Sequence, residues 1–94
     1  MMETTIKEKN EQYCIIYTVH SDFLQIDQLY VYPAYRGKHI PIKLLHRLYN
    51  KYKMEVCLEC VQELIWYYQY KLGMRFDGST GSFLYCMSYN PKNY

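Results

Sequence analysis

The sequence predicts a single α/β (α+β) domain in which two helices pack on a mixed sheet, with elements in the order β-β-α-β-α-β-β. Runs such as Tyr13-Cys14-Ile15-Ile16-Tyr17-Thr18-Val19 are β-branched and aromatic, the composition of a strand. Ile40, Leu44, Leu45, Leu48 and Tyr52 recur at helical spacing. Strand-like and helix-like stretches then alternate with neither repeats nor a linker, the pattern of one mixed layer.

Residues 1–10 carry alternating charges and little apolar surface, and read as a flexible N-terminal tail; residues 11–94 form the domain. The strand from Tyr13 to Val19 is followed by the polar turn His20-Ser21-Asp22. Next comes Phe23 to Val31, where Leu24 and Ile26, then Leu29 and Val31, alternate with other residues. The alternation slips between Ile26 and Leu29, which predicts a β-bulge, and the two strands are expected to pair as an antiparallel hairpin. Pro33 ends the second strand. Pro41 is tolerated only near a helix start, so the first helix begins close to residues 39–41 and runs to about Lys53. Met54–Leu58 is a third strand. A second helix runs from about Gln62 to Leu72 and closes on Gly73 as a left-handed cap. Met74–Asp77 is a short strand, 78–82 a turn, and Phe83–Tyr89 the last strand.

Half the residues are hydrophobic and 21% are charged, the balance of a folded globular domain. No apolar run reaches the ~18 residues of a membrane span, and the charged N-terminus lacks the apolar core of a signal peptide. A cytoplasmic protein is therefore expected. A net charge of +2 gives no strong nucleic-acid signal. Tyrosine is the unusual component, 13 of 94 residues, too many for so small a core to bury them all. The surplus points to a contact surface for a partner protein or a homodimer.

Cys14, Cys57, Cys60 and Cys86 invite two readings. Cys57-Leu58-Glu59-Cys60 has the spacing of a zinc knuckle, and the outer two cysteines could complete four ligands. Those two sit singly inside apolar strand-like runs, however, where a thiol behaves as a small hydrophobe. The second reading, with ordinary reduced cysteines and no metal, is the one adopted. His20 and His46 have no partner pattern and are read as structural, and Glu55 and Glu59 as solvent-facing.

The informative unit is the strand, loop and helix from Leu29 to Leu45. A loop feeding a helix N-terminus offers unpaired N–H groups and the positive end of the helix dipole, a ready anion site to which Arg36 and Lys38 add charge. Leu29-Tyr30-Val31-Tyr32-Pro33-Ala34-Tyr35-Arg36-Gly37-Lys38-His39-Ile40-Pro41-Ile42-Lys43-Leu44-Leu45 resembles the acetyl-CoA motif of the GNAT acetyltransferases, which typically reads L-x-V-x-P-x-Y-R-G-K-G-I-G-x-x-L-L. Downstream, Tyr70-Lys71-Leu72-Gly73-Met74 is similar to that family's Y-E-K-L-G-F ending. The resemblance covers residues 12–89 and implies a minimal GNAT-like mixed sheet. It lacks the family's usual N-terminal strand and two helices, which normally wall one side of the acceptor site. Short versions of this kind are known among phage-encoded proteins that disarm host defences.

The resemblance implies that Leu29 and Val31 bond the pantetheine arm of acetyl-CoA through their backbones. Arg36, Gly37, Lys38, His39 and Ile40 would cradle the pyrophosphate. The sequence departs from the family at three points. His39 and Pro41 replace two loop glycines, and Pro41 removes an N–H donor. Gln69 stands where the family has the tyrosine that protonates the leaving thiolate. Gln25 stands where a glutamate base is common. Asp27, two residues on, is then the candidate base, and Tyr68 the candidate acid. His39 is also a candidate for contact with phosphate or substrate.

Two functions follow. One is an N-acetyltransferase moving acetyl from acetyl-CoA to an amine, with a broad acceptor cleft suited to a protein. The other is a catalytically degenerate GNAT-fold module that binds a partner protein, for example as an anti-defence or regulatory protein.

Overall fold

The computed structural model describes residues 3–91; residues 1–2 of the expected tail and 92–94 of the expected domain lie outside them. The strands are β1 (Thr4–Lys9), β2 (Tyr13–Val19), β3 (Phe23–Val31), β4 (Glu55–Val61), β5 (Arg75–Ser79) and β6 (Leu84–Tyr89). They form one sheet in the order β1-β2-β3-β4-β6-β5. All neighbours are antiparallel except β3 and β4, which run parallel. The helix α1 (Ile40–Tyr52) supplies the crossover between them, as a parallel pair requires. A second, irregular helical segment, 62–71, joins β4 to β5.

The expected hairpin of β2 and β3 is present, and the expected bulge falls on Asp27. Ile16 faces Gln28 and Tyr17 faces Ile26, so Asp27 is the extra residue. The bulge restores phase: Leu24 and Ile26 before it, and Leu29 and Val31 after it, all belong to the core side. The core lies between one sheet face and the helices. Ile15 and Tyr17 (β2), Val56 and Leu58 (β4) and Met87 (β6) meet Leu44, Leu45 and Leu48 of α1. Burying each of those leucines contributes about 1.5–3 kcal/mol.

Residues 1–10 require a correction. Thr4–Lys9 is no tail but the edge strand β1, paired with β2 from Thr4↔Val19 to Lys9↔Cys14. Only Ile6 and Glu8 are turned toward the core side, opposite Tyr17 and Ile15. A sheet edge tolerates that much charge, which is why the strand is hard to recognise in sequence. Glu8 ties the edge to α1. It takes both Arg47 hydrogen bonds at 3.1 Å and accepts from the Tyr17 hydroxyl at 3.2 Å, while Tyr17 Oη lies 3.1 Å from Tyr52 Oη.

The opposite sheet face is covered by neither helical segment. One register row crosses all six strands there: Thr5, Thr18, Gln25, Cys57, Ser88 and Arg75. Cys57 and Cys60 point to opposite faces, since side chains three apart on a strand cannot converge. All four cysteines are free, and no metal-holding group of three or more His, Cys, Asp or Glu occurs among the described residues. His20 stacks on Phe23 at 4.4 Å and pairs with Glu3 at 3.3 Å, and His46 Nδ1 lies 2.8 Å from the Tyr89 hydroxyl. Among the described residues, no helix is long and apolar enough to cross a membrane.

Deleting residues 1–9 is expected to lower the urea midpoint, because β2 loses a partner and Arg47 its carboxylate; an unchanged midpoint would mean a dispensable tail. A second prediction concerns pH. Burial, then Tyr52 and Glu8, raise the Tyr17 pKa. The stability this group contributes is present in full below the unfolded tyrosine value of about 10 and is lost as pH rises through the higher native value. Thermal melts should show an alkaline decline above pH ~10 that Tyr17→Phe reduces.

Candidate functional site

Beyond their first three pairs, Phe23↔Glu55, Leu24↔Val56 and Gln25↔Cys57, β3 and β4 part. β4 continues along β6 as far as Val61 while β3 continues along β2 as far as Val31. The Tyr32 amide bonds the Gln12 carbonyl at 3.0 Å, toward β2. By strand alternation the backbone groups of Val31 and Leu29 point the other way, into the gap. The Val31 carbonyl there accepts from Arg36 Nε at 2.9 Å.

The gap opens into a cleft of about 590 Å³. Leu29, Tyr30, Val31, Tyr35, Arg36, Gly37 and Pro41 line one side, and Leu64, Tyr67, Tyr68 and Leu72 the other. Of the residues expected to hold a cofactor, Leu29, Val31, Arg36 and Gly37 are therefore brought together on one wall. Lys38 is exposed, with Nζ 5.7 Å from the Tyr35 ring centroid. His39 is exposed, and the Ile40 side chain is buried in the core.

Local backbone explains the loop. Gly37 has φ 81°, and a Cβ there would meet nothing within 4 Å. His39 is the α1 N-cap at φ 61°, ψ 28°, a left-handed conformation that favours glycine, and its carbonyl accepts from the Lys43 amide at 3.2 Å. Pro41 sits in the first turn, where a missing N–H breaks no helix bond. Among the described residues no backbone hydrogen bond uses the amides of Gly37, Lys38, His39, Ile40 or Ile42. The donor row is thus shortened by Pro41 but not abolished. Arg36 also lies 5.3 Å from the Tyr30 ring centroid, and no ion pair of the described residues uses it.

The segment 62–71 differs from the regular helix expected there. It begins with a 3₁₀ turn, Gln62–Leu64, and ends in a π-turn, Tyr67–Lys71. A π-turn takes one residue more than an α-turn. Counting back from Gly73, which is left-handed at φ 70° as expected, the extra residue rotates the chain by one position. Tyr68 consequently lines the cleft and is half-buried, whereas Gln69 and Tyr70 are exposed. The Met74 amide closes the turn on the Tyr68 carbonyl at 3.0 Å. Burial first, then Cys60 and Tyr67, push the Tyr68 pKa up, so its hydroxyl keeps its proton at neutral pH.

Asp27 is not part of this cleft wall. It is exposed at the bulge, and its Oδ2 accepts from Thr18 Oγ1 at 2.7 Å on the uncovered side of the sheet. The sequence reading missed Tyr30, Tyr35, Leu64, Tyr67 and Leu72 as lining residues. Tyr30, Tyr35 and Leu72 lie inside the two motifs quoted above, the tyrosine density signalled Tyr67, and nothing in the sequence signalled Leu64.

Several solved structures share this fold. The crystal structure of the anti-CRISPR protein AcrVA5 superposes with a TM-score of 0.70 at 15% identity, covering 92% of this chain and 98% of that one. A putative acetyltransferase from Agrobacterium tumefaciens gives 0.68 at 18% identity, over 93% and 73%. An acetyltransferase from Bacillus cereus ATCC 14579 gives 0.66 at 21% identity, over 93% and 71%. No family model and no curated protein matches the sequence. The fold is that of the GNAT acetyltransferases.

His39→Gly is expected to raise stability by about 1 kcal/mol, since it relieves a left-handed non-glycine residue. Equal or lower stability in urea unfolding would show that the His39 side chain holds something the backbone strain conceals.

Proposed function

We propose that the protein is an N-acetyltransferase that moves acetyl from acetyl-CoA to an amine, with a protein as the acceptor. The observation that carries this reading is the cleft where β3 and β4 part. It combines outward backbone groups of Leu29 and Val31, free amides at the α1 N-terminus and a protonated tyrosine. Acetyl-CoA supplies a thioester; transfer makes an amide C–N bond, breaks the C–S bond, takes a proton from the amine and gives one to sulfur. Leu29 and Val31 would hold the pantetheine arm, and Arg36, Gly37, Lys38, His39 and Ile40 the pyrophosphate. Tyr68 is the proton donor to the departing sulfur, and Asp27 the acceptor of the amine proton on the open side of the sheet.

Calorimetry is expected to show micromolar acetyl-CoA affinity, and no heat at millimolar ligand overturns the reading. Arg36→Ala should weaken that affinity by about 1.5 kcal/mol, roughly tenfold. Tyr68→Phe should lower kcat by about 10²-fold or more with little change in KM. Because the Tyr68 pKa is raised, loss of its proton should limit kcat only above pH ~10.

Trp66 and Tyr70, 56% and 77% exposed on the segment 62–71, favour a second reading. On it the protein is a partner-binding module without turnover, gripping another protein or a second copy through these rings. Acetyl-CoA binding with measurable acetylation decides against it.

A further inference from the structure

The uncovered sheet face carries a groove of about 970 Å³, distinct from the cleft above. Among the described residues, Asp22, Glu55, Glu59 and Asp77 line it against a single cation, Lys53, in a chain whose net charge is +2. Arg75, at its border, takes up part of that charge by pairing with Asp77 at 2.7 Å and Glu55 at 3.8 Å. Among the described residues, no ion pair uses Asp22 or Glu59.

The position of the groove matters as much as its sign. Gln25 and Cys57 line it, and they are the last pair before β3 and β4 separate. The groove floor thus reaches the point where the gap between the two strands begins. Two thiols report the local field. Burial first, then Glu55 and Asp77, push the Cys57 pKa up to about 12, and burial, then Glu59 and Asp77, raise that of Cys86. Both thiols are thus held toward their protonated form.

From this geometry we infer that the groove docks a cationic peptide segment of the acceptor protein, with a lysine amine delivered to the gap beside Gln25 and Cys57. The inference rests on the acetyltransferase reading and names its substrate class. Charge complementarity selects the occupant, and an open groove along a sheet face accommodates an extended chain where a closed pocket would not. Long-range attraction of this kind sets encounter rate and register, and salt screens it.

The test uses the full chain and two lysine peptides of equal length, one flanked by arginines and one by glutamates, read by anisotropy and acetylation rate. The arginine-flanked peptide should bind and be acetylated at least tenfold better, and the difference should shrink as salt rises. The double substitution Asp22→Asn, Glu59→Gln should raise KM for that peptide about fivefold while leaving acetyl-CoA affinity and acetylation of hydroxylamine unchanged. Equal use of the two peptides overturns the inference while leaving the enzyme reading intact. Efficient acetylation of spermidine with neither peptide used also overturns it, in favour of a small polycation. Failure to bind acetyl-CoA or to acetylate hydroxylamine sinks the underlying reading instead.

Discussion

Two parallel strands that stop pairing after three residues leave facing rows of backbone N–H and C=O groups, and such groups must be satisfied by something. On β3 this falls to Leu29 and Val31, whose polar groups face the gap once Gln12 has taken the Tyr32 amide. Much of the chain is arranged around that parting. The bulge at Asp27 keeps Leu29 and Val31 in phase with the core although they lie beyond the last parallel pair. α1 starts where β3 ends, so its amide-rich N-terminus opens beside the same gap. Arg36 returns to cap the Val31 carbonyl, so the free protein provides one internal partner at that edge.

Tyrosine does four kinds of work in this small domain. Tyr17 is fully buried and bridges β2 to Glu8 and Tyr52, taking a polar group into the core only because both partners are there. Tyr89 reaches His46 across the helix–sheet interface. Tyr35, Tyr67 and Tyr68 give the cleft apolar walls, with Tyr67 and Tyr68 in edge-to-face contact at 5.4 Å. Tyr70, like Trp66, faces solvent. A ring with a polar tip suits each setting, which is how one residue type serves core, seam and surface.

Most of the fold was legible because periodicity reports burial. The strands from Tyr13 to Val31, the bulge, α1 and the left-handed Gly73 all follow from alternation, helical spacing and turn chemistry. β1 was illegible because an edge strand with two inward positions, one of them Glu8, has no apolar alternation to detect. The cleft was half legible. Its Leu29-to-Gly37 wall is contiguous in sequence, whereas the opposing wall depends on a π-turn. Nothing in Tyr67-Tyr68-Gln69-Tyr70-Lys71 distinguishes a bond to the fourth residue from one to the fifth. That single choice exchanges Gln69 for Tyr68 in the cleft.

The two ends of the sheet bear on how copies of this chain treat one another. Among the described residues β1 has no partner on its outer edge, but Lys7 and Lys9 along it place positive charge against any strand that tries to add. β5, the other outer strand, is five residues long and kinked by an extra residue at Asp77, so its hydrogen-bonding row is short and bent. A six-stranded sheet with one uncovered face is a natural seed for ribbon-like polymerisation. Here both growth fronts are blunted, and contacts between copies are steered to side chains and faces rather than to strand addition.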